Sequence, residues 1–98
     1  MNVGEFLKDK VSNMLHWLDG EGCVVPALTP DALRCTILAQ TLHDKCDEAI
    51  KARSFEQLQE HKENVPTELA AMLSFVHTHP HLHDKFWRYL ELFSTAVS

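Results

Sequence analysis

Apolar residues recur every three or four positions along most of this chain, which is the spacing of amphipathic α-helices. The first such segment runs from about Asn2 to Asp19 and ends before Gly20. At about 100° per residue its apolar positions cover close to half of the helix circumference, and Lys10 falls at the rim of that arc. Packing against a single neighbouring helix needs a narrower apolar stripe than this arc. We therefore expect the first helix either to lie between two other elements or to be shared with another chain.

A second helix is predicted from about residue 30 to residue 53, and we place it at the centre of the fold. An N-cap threonine, a proline and an aspartate favour its start: Thr29, Pro30 and Asp31. One face repeats mostly small residues at heptad spacing: Cys35, Ala39, Leu42, Cys46 and Ala49. The first half of the helix is also apolar on the opposite face, at Leu33 and Ile37.

The second helix should not continue to Glu63. It would then be about 50 Å long, whereas a compact chain of this length measures about 33 Å across. We predict a break at Arg53–Ser54, because Ser54 to Gln57 has the pattern of a capping box. A short helix follows, with Phe55 and Leu58 turned inward.

Two further helices are predicted in the last third of the chain. One runs from Pro66 or Thr67 to His77, and one runs from Pro80 or His81 to about Ala96. The predicted fold class is therefore all-α: a compact bundle of four to five helices in a single domain of residues 1–98, with helix two (about 30–53) central.

Composition and charge argue against several classes of protein. The chain is 45 % hydrophobic, which excludes wholesale disorder, and its net charge of −5 repels phosphate backbones. No run approaches the ~20 apolar residues of a membrane span, and the first residues lack the pattern of a signal peptide. The three cysteines have no CxxC spacing, which favours reduced thiols, with Cys23 the accessible one. We expect a cytoplasmic protein that binds neither nucleic acid nor membrane.

Four histidines alternate around Pro80: His77, His79, His81 and His83. His79 and His83 are four residues apart, so they could converge on a zinc ion, with His77 joining them across the bend. Histidines also serve at helix ends as hydrogen-bonding groups. We favour this second interpretation, which needs no cofactor, and keep zinc binding as the alternative.

We find no residue pattern for catalysis. A nucleophile beside a base, paired acids in an apolar setting and a glycine-rich phosphate loop are all missing from the sequence. The prediction is a non-enzymatic protein with no catalytic residues. A helical enzyme subunit that completes its site in an oligomer is the weaker alternative.

The tryptophans are the best candidates for a partner-binding surface, because tryptophan is enriched at interface hot spots. Trp87 is placed on a polar face of the last helix beside Arg88 and Glu91, and Trp17 lies on the first helix. The alternative for Trp87 is packing under the loop that contains Cys23 and Pro26. We predict a small protein-binding module, such as an adaptor, inhibitor or regulatory subunit, that acts through exposed apolar helix faces.

The breadth of the apolar surface also predicts a homo-oligomer, which we expect to be a dimer. Its interface would use the first helix or the small-residue face of the second. The candidate interface residues are Leu7, Val11, Ala39, Leu42 and Cys46. The runner-up function is a metal-binding or metal-sensing helical protein that uses the His77–His83 junction.

Overall fold

The computed structural model describes residues 3–25 and 32–97. Five α-helices follow one another: α1 (Val3–Gly20), α2 (Ala32–Ala52), α3 (Phe55–His61), α4 (Thr67–His77) and α5 (His83–Val97). Single 3₁₀ turns, Lys62–Asn64 and Pro80–Leu82, extend α3 and precede α5. The all-α class is confirmed, and so is the break at Arg53–Ser54. The helix start expected at Thr29–Asp31 lies outside the described residues, as do the side chains of Leu33 and Cys35.

Helix α2 is the central element, as expected. It packs against α1, α3 and α5, while α4 closes the bundle against α3 and α5. At about 1.5 Å per residue, α2 is about 31 Å long, which nearly fills the 34 Å long axis of the molecule. A longer α2 would leave the bundle, and this explains why the chain turns at Arg53.

Helix α1 lies between α2 and α5, and this position accounts for its wide apolar arc. Leu7, Val11, Met14 and Leu18 are fully buried between those two helices. Lys10 marks the rim, half-buried with its ammonium 5.6 Å from the centre of the Phe6 ring. Of the two expectations for the first helix, the structure therefore selects packing within one chain.

The five residues expected to form a dimer interface are core residues instead. Leu7, Val11, Ala39, Leu42 and Cys46 are all at most 1 % exposed in a single chain. The expectation of an exposed apolar face was wrong because α1 and α2 each have more than one neighbour within the chain. A dimer through these residues would require the bundle to open, and an oligomer through another surface stays a prediction.

Helices α1 and α2 end in the same way. Each is followed by a residue in the left-handed conformation and by the two backbone hydrogen bonds of a Schellman motif. At the end of α1, Cys23 N–H donates to the Leu18 carbonyl (2.9 Å) and Gly22 N–H donates to the Asp19 carbonyl (3.1 Å). Gly22 has φ +100°, so it is the left-handed residue of a Schellman motif. The sequence placed the end of this helix before Gly20, which is still helical.

The end of α2 repeats this motif with an arginine in the glycine position. Ser54 N–H donates to the Ala49 carbonyl (2.9 Å), and Arg53 N–H donates to the Ile50 carbonyl (3.2 Å). Arg53 has φ +53°, a backbone conformation that a residue with a Cβ adopts only at a cost of about 1–2 kcal/mol. Ser54 also caps α3, since its Oγ accepts from Gln57 N–H (3.4 Å). Ser54 thus donates a hydrogen bond that closes α2 and accepts one that caps α3.

We predict that Arg53→Gly stabilises the protein by up to about 1 kcal/mol, because glycine relieves the left-handed strain but adds freedom to the unfolded chain. The Arg53→Ala variant is the matched control, since it removes the same side chain and keeps the strain. Urea unfolding should rank glycine above alanine. An equal stability of the two variants would show that the turn stores no strain.

Candidate functional site

The histidine junction caps the C-terminal end of α4. The Thr78 hydroxyl donates to the Phe75 carbonyl (3.0 Å), and His79 Nδ1 lies 2.7 Å from the same oxygen. His83 Nε2 lies 2.8 Å from the Val76 carbonyl, seven residues back in the chain. A carbonyl only accepts, so these two ring nitrogens carry the hydrogens. The two imidazoles thus satisfy carbonyls that have no partner inside the helix.

The same two imidazoles are packed face to face on aromatic rings. His79 stacks on Phe75 with ring centres 4.1 Å apart, and His83 stacks on Phe55 at 4.0 Å. His77 and His81 are exposed. His81 meets His79 edge-on with ring centres 5.9 Å apart, and His77 lies 6.0 Å from the same Phe55 ring that stacks on His83. The four histidines are therefore divided between two aromatic rings, Phe75 and Phe55, and do not form one cluster.

The structure does not bring His77, His79 and His83 together as ligands. Among the described residues, no group of three histidine, cysteine, aspartate or glutamate side chains is placed to hold a metal ion. The convergence on zinc that was kept as the alternative is not formed, because His79 and His83 bind two different carbonyls. The capping interpretation describes the geometry of these two residues.

We predict that His83→Ala lowers the free energy of unfolding by about 2 kcal/mol, since it removes a carbonyl cap and a ring stack. The exposed His81 provides the control, and His81→Ala should change stability by less than about 0.5 kcal/mol. Denaturant titrations with and without zinc test both points. A zinc-dependent gain in stability that His83→Ala abolishes would contradict the capping role and restore the metal hypothesis.

Trp87 lies in the core and not on the surface. It is 3 % exposed, and its ring meets Phe55 edge-on with centres 5.0 Å apart. The expectation that Trp87 anchors a partner was wrong, because the Phe55 ring at the start of α3 packs on the side of α5 that looked polar in sequence. Its predicted companions Arg88 and Glu91 are exposed. Glu91 Oε1 approaches Arg53 Nε at 3.9 Å, a distant and largely hydrated ion pair.

Trp17 is the tryptophan that reaches the surface. It is half-buried and stacks on Tyr89 of α5, with ring centres 5.9 Å apart and an interplanar angle of 26°. The Lys85 ammonium lies over the Trp17 ring, 4.9 Å from its centre. Helices α1 and α5 therefore present a stacked aromatic pair with a cation above it.

This pair belongs to a larger surface that we name the aromatic–lysine patch: Phe6, Lys10, Trp17, Lys85 and Tyr89. On α1, positions 6, 10 and 17 share a helix face with residue 13, and on α5 positions 85 and 89 share a face with residues 88 and 92. Leu92 is 37 % exposed there. The sequence pointed to Trp17 and to the unusual place of Lys10, but it did not predict that Tyr89 and Lys85 of α5 contact the Trp17 ring.

Three recesses of the described residues are open grooves. One, of about 490 Å³, lies between α2 and α3 and is lined by several acids, among them Asp44, Glu48 and Glu60. A second, of about 450 Å³, separates the end of α2 from α5 beside Arg53 and Glu91. A third, of about 470 Å³, lies along α1 at Phe6 and Lys10 and so borders the aromatic–lysine patch.

The two described thiols are buried. Cys23, expected to be accessible, is 2 % exposed because it packs into the core directly after the α1 Schellman turn. Burial raises the pKa of Cys23, and the nearby Asp19 carboxylate raises it further. Burial raises the pKa of Cys46 to about 11. Both groups are held as neutral thiols, which are poor nucleophiles.

We predict that Cys46 makes stability fall in alkaline solution. Its pKa is about 11 in the folded chain against 9.0 as the ordinary value, so the unfolded state loses this proton first. The contribution of Cys46 is complete below pH 9 and is lost as the pH rises toward 11. Unfolding free energies at pH 8 and pH 10 should diverge more for the wild type than for Cys46→Ala. Parallel profiles would contradict the buried thiol.

No helix within the described residues combines the length and apolar character that a membrane crossing requires. No known protein family model matches the chain, and no curated protein and no solved structure matches it either. Function is therefore inferred from the residues themselves, and the aromatic–lysine patch is the surface with the most distinctive chemistry.

Proposed function

We propose that this protein is a small, non-enzymatic protein-binding module of the cytoplasm that docks its partner on the aromatic–lysine patch. The observation that carries the proposal is Trp17, which is half-buried, held against Tyr89 and covered by the Lys85 ammonium. An adaptor, inhibitor or regulatory subunit would act in this way.

The physical support comes from the rigidity of the patch. Aromatic side chains bury a large area for the loss of only two rotatable bonds, and they are enriched at the centres of protein interfaces. Trp17 is already fixed by its stack on Tyr89, and Tyr89 in turn lies 6.5 Å from the buried Phe93 ring. A partner would therefore meet a surface that needs little ordering on binding.

The location also has chemical support. Cys23 and Cys46 are free thiols buried in the core. Reduced cysteines are stable in a reducing compartment, and this favours the cytoplasm.

We predict that Trp17→Ala weakens partner binding by about 2 kcal/mol or more, which corresponds to roughly thirtyfold in affinity. Ile37→Ala is the control, because Ile37 is 50 % exposed on α2 and lies outside the patch. Proteins captured from host lysate by the wild type and by both variants should be quantified, and the candidates then purified and titrated. Circular dichroism should first show that both variants are folded.

The decisive comparison is between the two variants. A purified partner that binds the wild type and Ile37→Ala equally, and Trp17→Ala far more weakly, supports the proposal. If every captured protein binds folded Trp17→Ala as tightly as the wild type, the patch is not the docking surface.

A further inference from the structure

We propose that the partner presents an acidic segment with apolar side chains, whose carboxylates pair with Lys85 and Arg88 while an apolar side chain contacts Tyr89 and Leu92. This inference rests on the proposed function and specifies its partner by charge. It follows from the way cations are distributed over a chain whose net charge is −5.

The face of α5 beside Trp17 is basic and apolar. Residues 85, 88, 89 and 92 follow the i, i+3, i+4, i+7 spacing of one helix face, and they read lysine, arginine, tyrosine and leucine. Lys85 and Arg88 are exposed, and Leu92 is 37 % exposed. This face therefore offers two cations around an apolar centre.

The two acids of α5, Asp84 and Glu91, flank Arg88 and lie away from Lys85. Glu91 is directed toward Arg53 at the α2–α3 turn, 3.9 Å away. Asp84 is turned about 100° from Lys85 around the helix axis but lies one turn before Arg88 on the same face. On α1, Lys10 adds a third cation, and Asp9 borders the patch in the recess beside Phe6 and Lys10. The cations directly beside the aromatic rings are thus Lys10 and Lys85, and the acids of both helices lie at the edges of the patch.

Charge complementarity favours a carboxylate-bearing partner. The Lys85 ammonium lies 4.9 Å from the centre of the Trp17 ring while still exposed, so a carboxylate can pair with it without moving it from the ring. A cation–π contact strengthens when it is removed from water. Binding an acidic segment would therefore tighten a contact that the free protein already has.

A protein segment fits this patch better than an anionic membrane or a nucleic acid. Polybasic membrane sites use about four to eight cations, whereas the cations named here are three: Lys10, Lys85 and Arg88. The net charge of −5 repels an extended phosphate surface. One short acidic segment can pair with the three cations while the rest of the partner stays away from the acidic surface of this protein.

The test is selection from a displayed library of random 20-residue peptides. The full-length wild type is the target, and Trp17→Ala is used to remove peptides that do not need the patch. We expect the retained peptides to be rich in Asp and Glu around an aromatic or aliphatic residue. Their affinity should fall by about tenfold or more for the double variant Lys85→Glu, Arg88→Glu, and by several-fold between 50 and 300 mM salt.

A matched charge reversal controls for net charge. Lys45 is exposed on α2 and lines the acidic groove between α2 and α3. Lys45→Glu should leave the affinity of the selected peptides unchanged. If Lys45→Glu weakens binding as much as the Arg88→Glu single variant does, net charge and not the patch governs binding, and the inference is overturned.

Failure of this inference can be told apart from failure of the proposed function. Peptides that need Trp17 but are neutral or basic, or that bind the Lys85→Glu, Arg88→Glu variant equally well, overturn the acidic partner and leave the docking surface standing. A library that yields no peptide dependent on Trp17 counts against the docking surface itself, and the acidic partner falls with it.

Two other occupants would also overturn the acidic partner segment. Sedimentation equilibrium that shows self-association of the wild type, abolished by Lys85→Glu, would identify a second copy of the chain as the occupant. Binding to phosphatidylserine vesicles that depends on Lys85 and Arg88 would identify an anionic lipid surface. We expect neither result.

Discussion

The packing of one ring, Phe55, holds the second half of the molecule in place. Phe55 is the first residue of α3, and its ring stacks on His83, lies 6.0 Å from Phe86 and meets Trp87 edge-on. These three partners lie in the first turns of α5, so Phe55 fixes the rotation of α5 about its axis. Removing a buried phenylalanine costs about 3–5 kcal/mol, which is a large share of the stability of a small domain.

The aromatic–lysine patch is a consequence of that rotation. Because Trp87 faces Phe55, the opposite flank of α5 carries Lys85 and Tyr89 toward α1, where Tyr89 meets Trp17. The caps of α4 support the same arrangement, since His83 both stacks on Phe55 and binds the Val76 carbonyl. The histidines of the junction thus contribute to the candidate site indirectly, by setting how α5 leaves α4.

Most of the secondary structure could be predicted because its signals are local. The serine that begins α3, the break at Arg53 and the bend at Pro80 depend on residues within a few positions of one another. The same reasoning ended the first helix before Gly20, whereas α1 includes Gly20 and the left-handed residue is Gly22, directly before the buried Cys23. The sequence placed Lys10 at the rim of the apolar arc, where the structure has it, but did not reveal the contacts of Trp17 with Tyr89 and Lys85.

The sequence by itself determined an all-α chain, the order of its helices and the residues that share each helix face. It did not determine how many neighbours each helix has, and this number decided the roles of the candidate residues. Because α1 packs against two helices, Leu7 and Val11 are core residues and not the expected dimer interface. Trp87 is buried where it meets the Phe55 ring. Periodicity gives the angle between side chains around one axis, whereas burial depends on contacts between residues distant in the chain. Only the tertiary structure therefore placed Trp17, Tyr89 and Lys85 together at the surface.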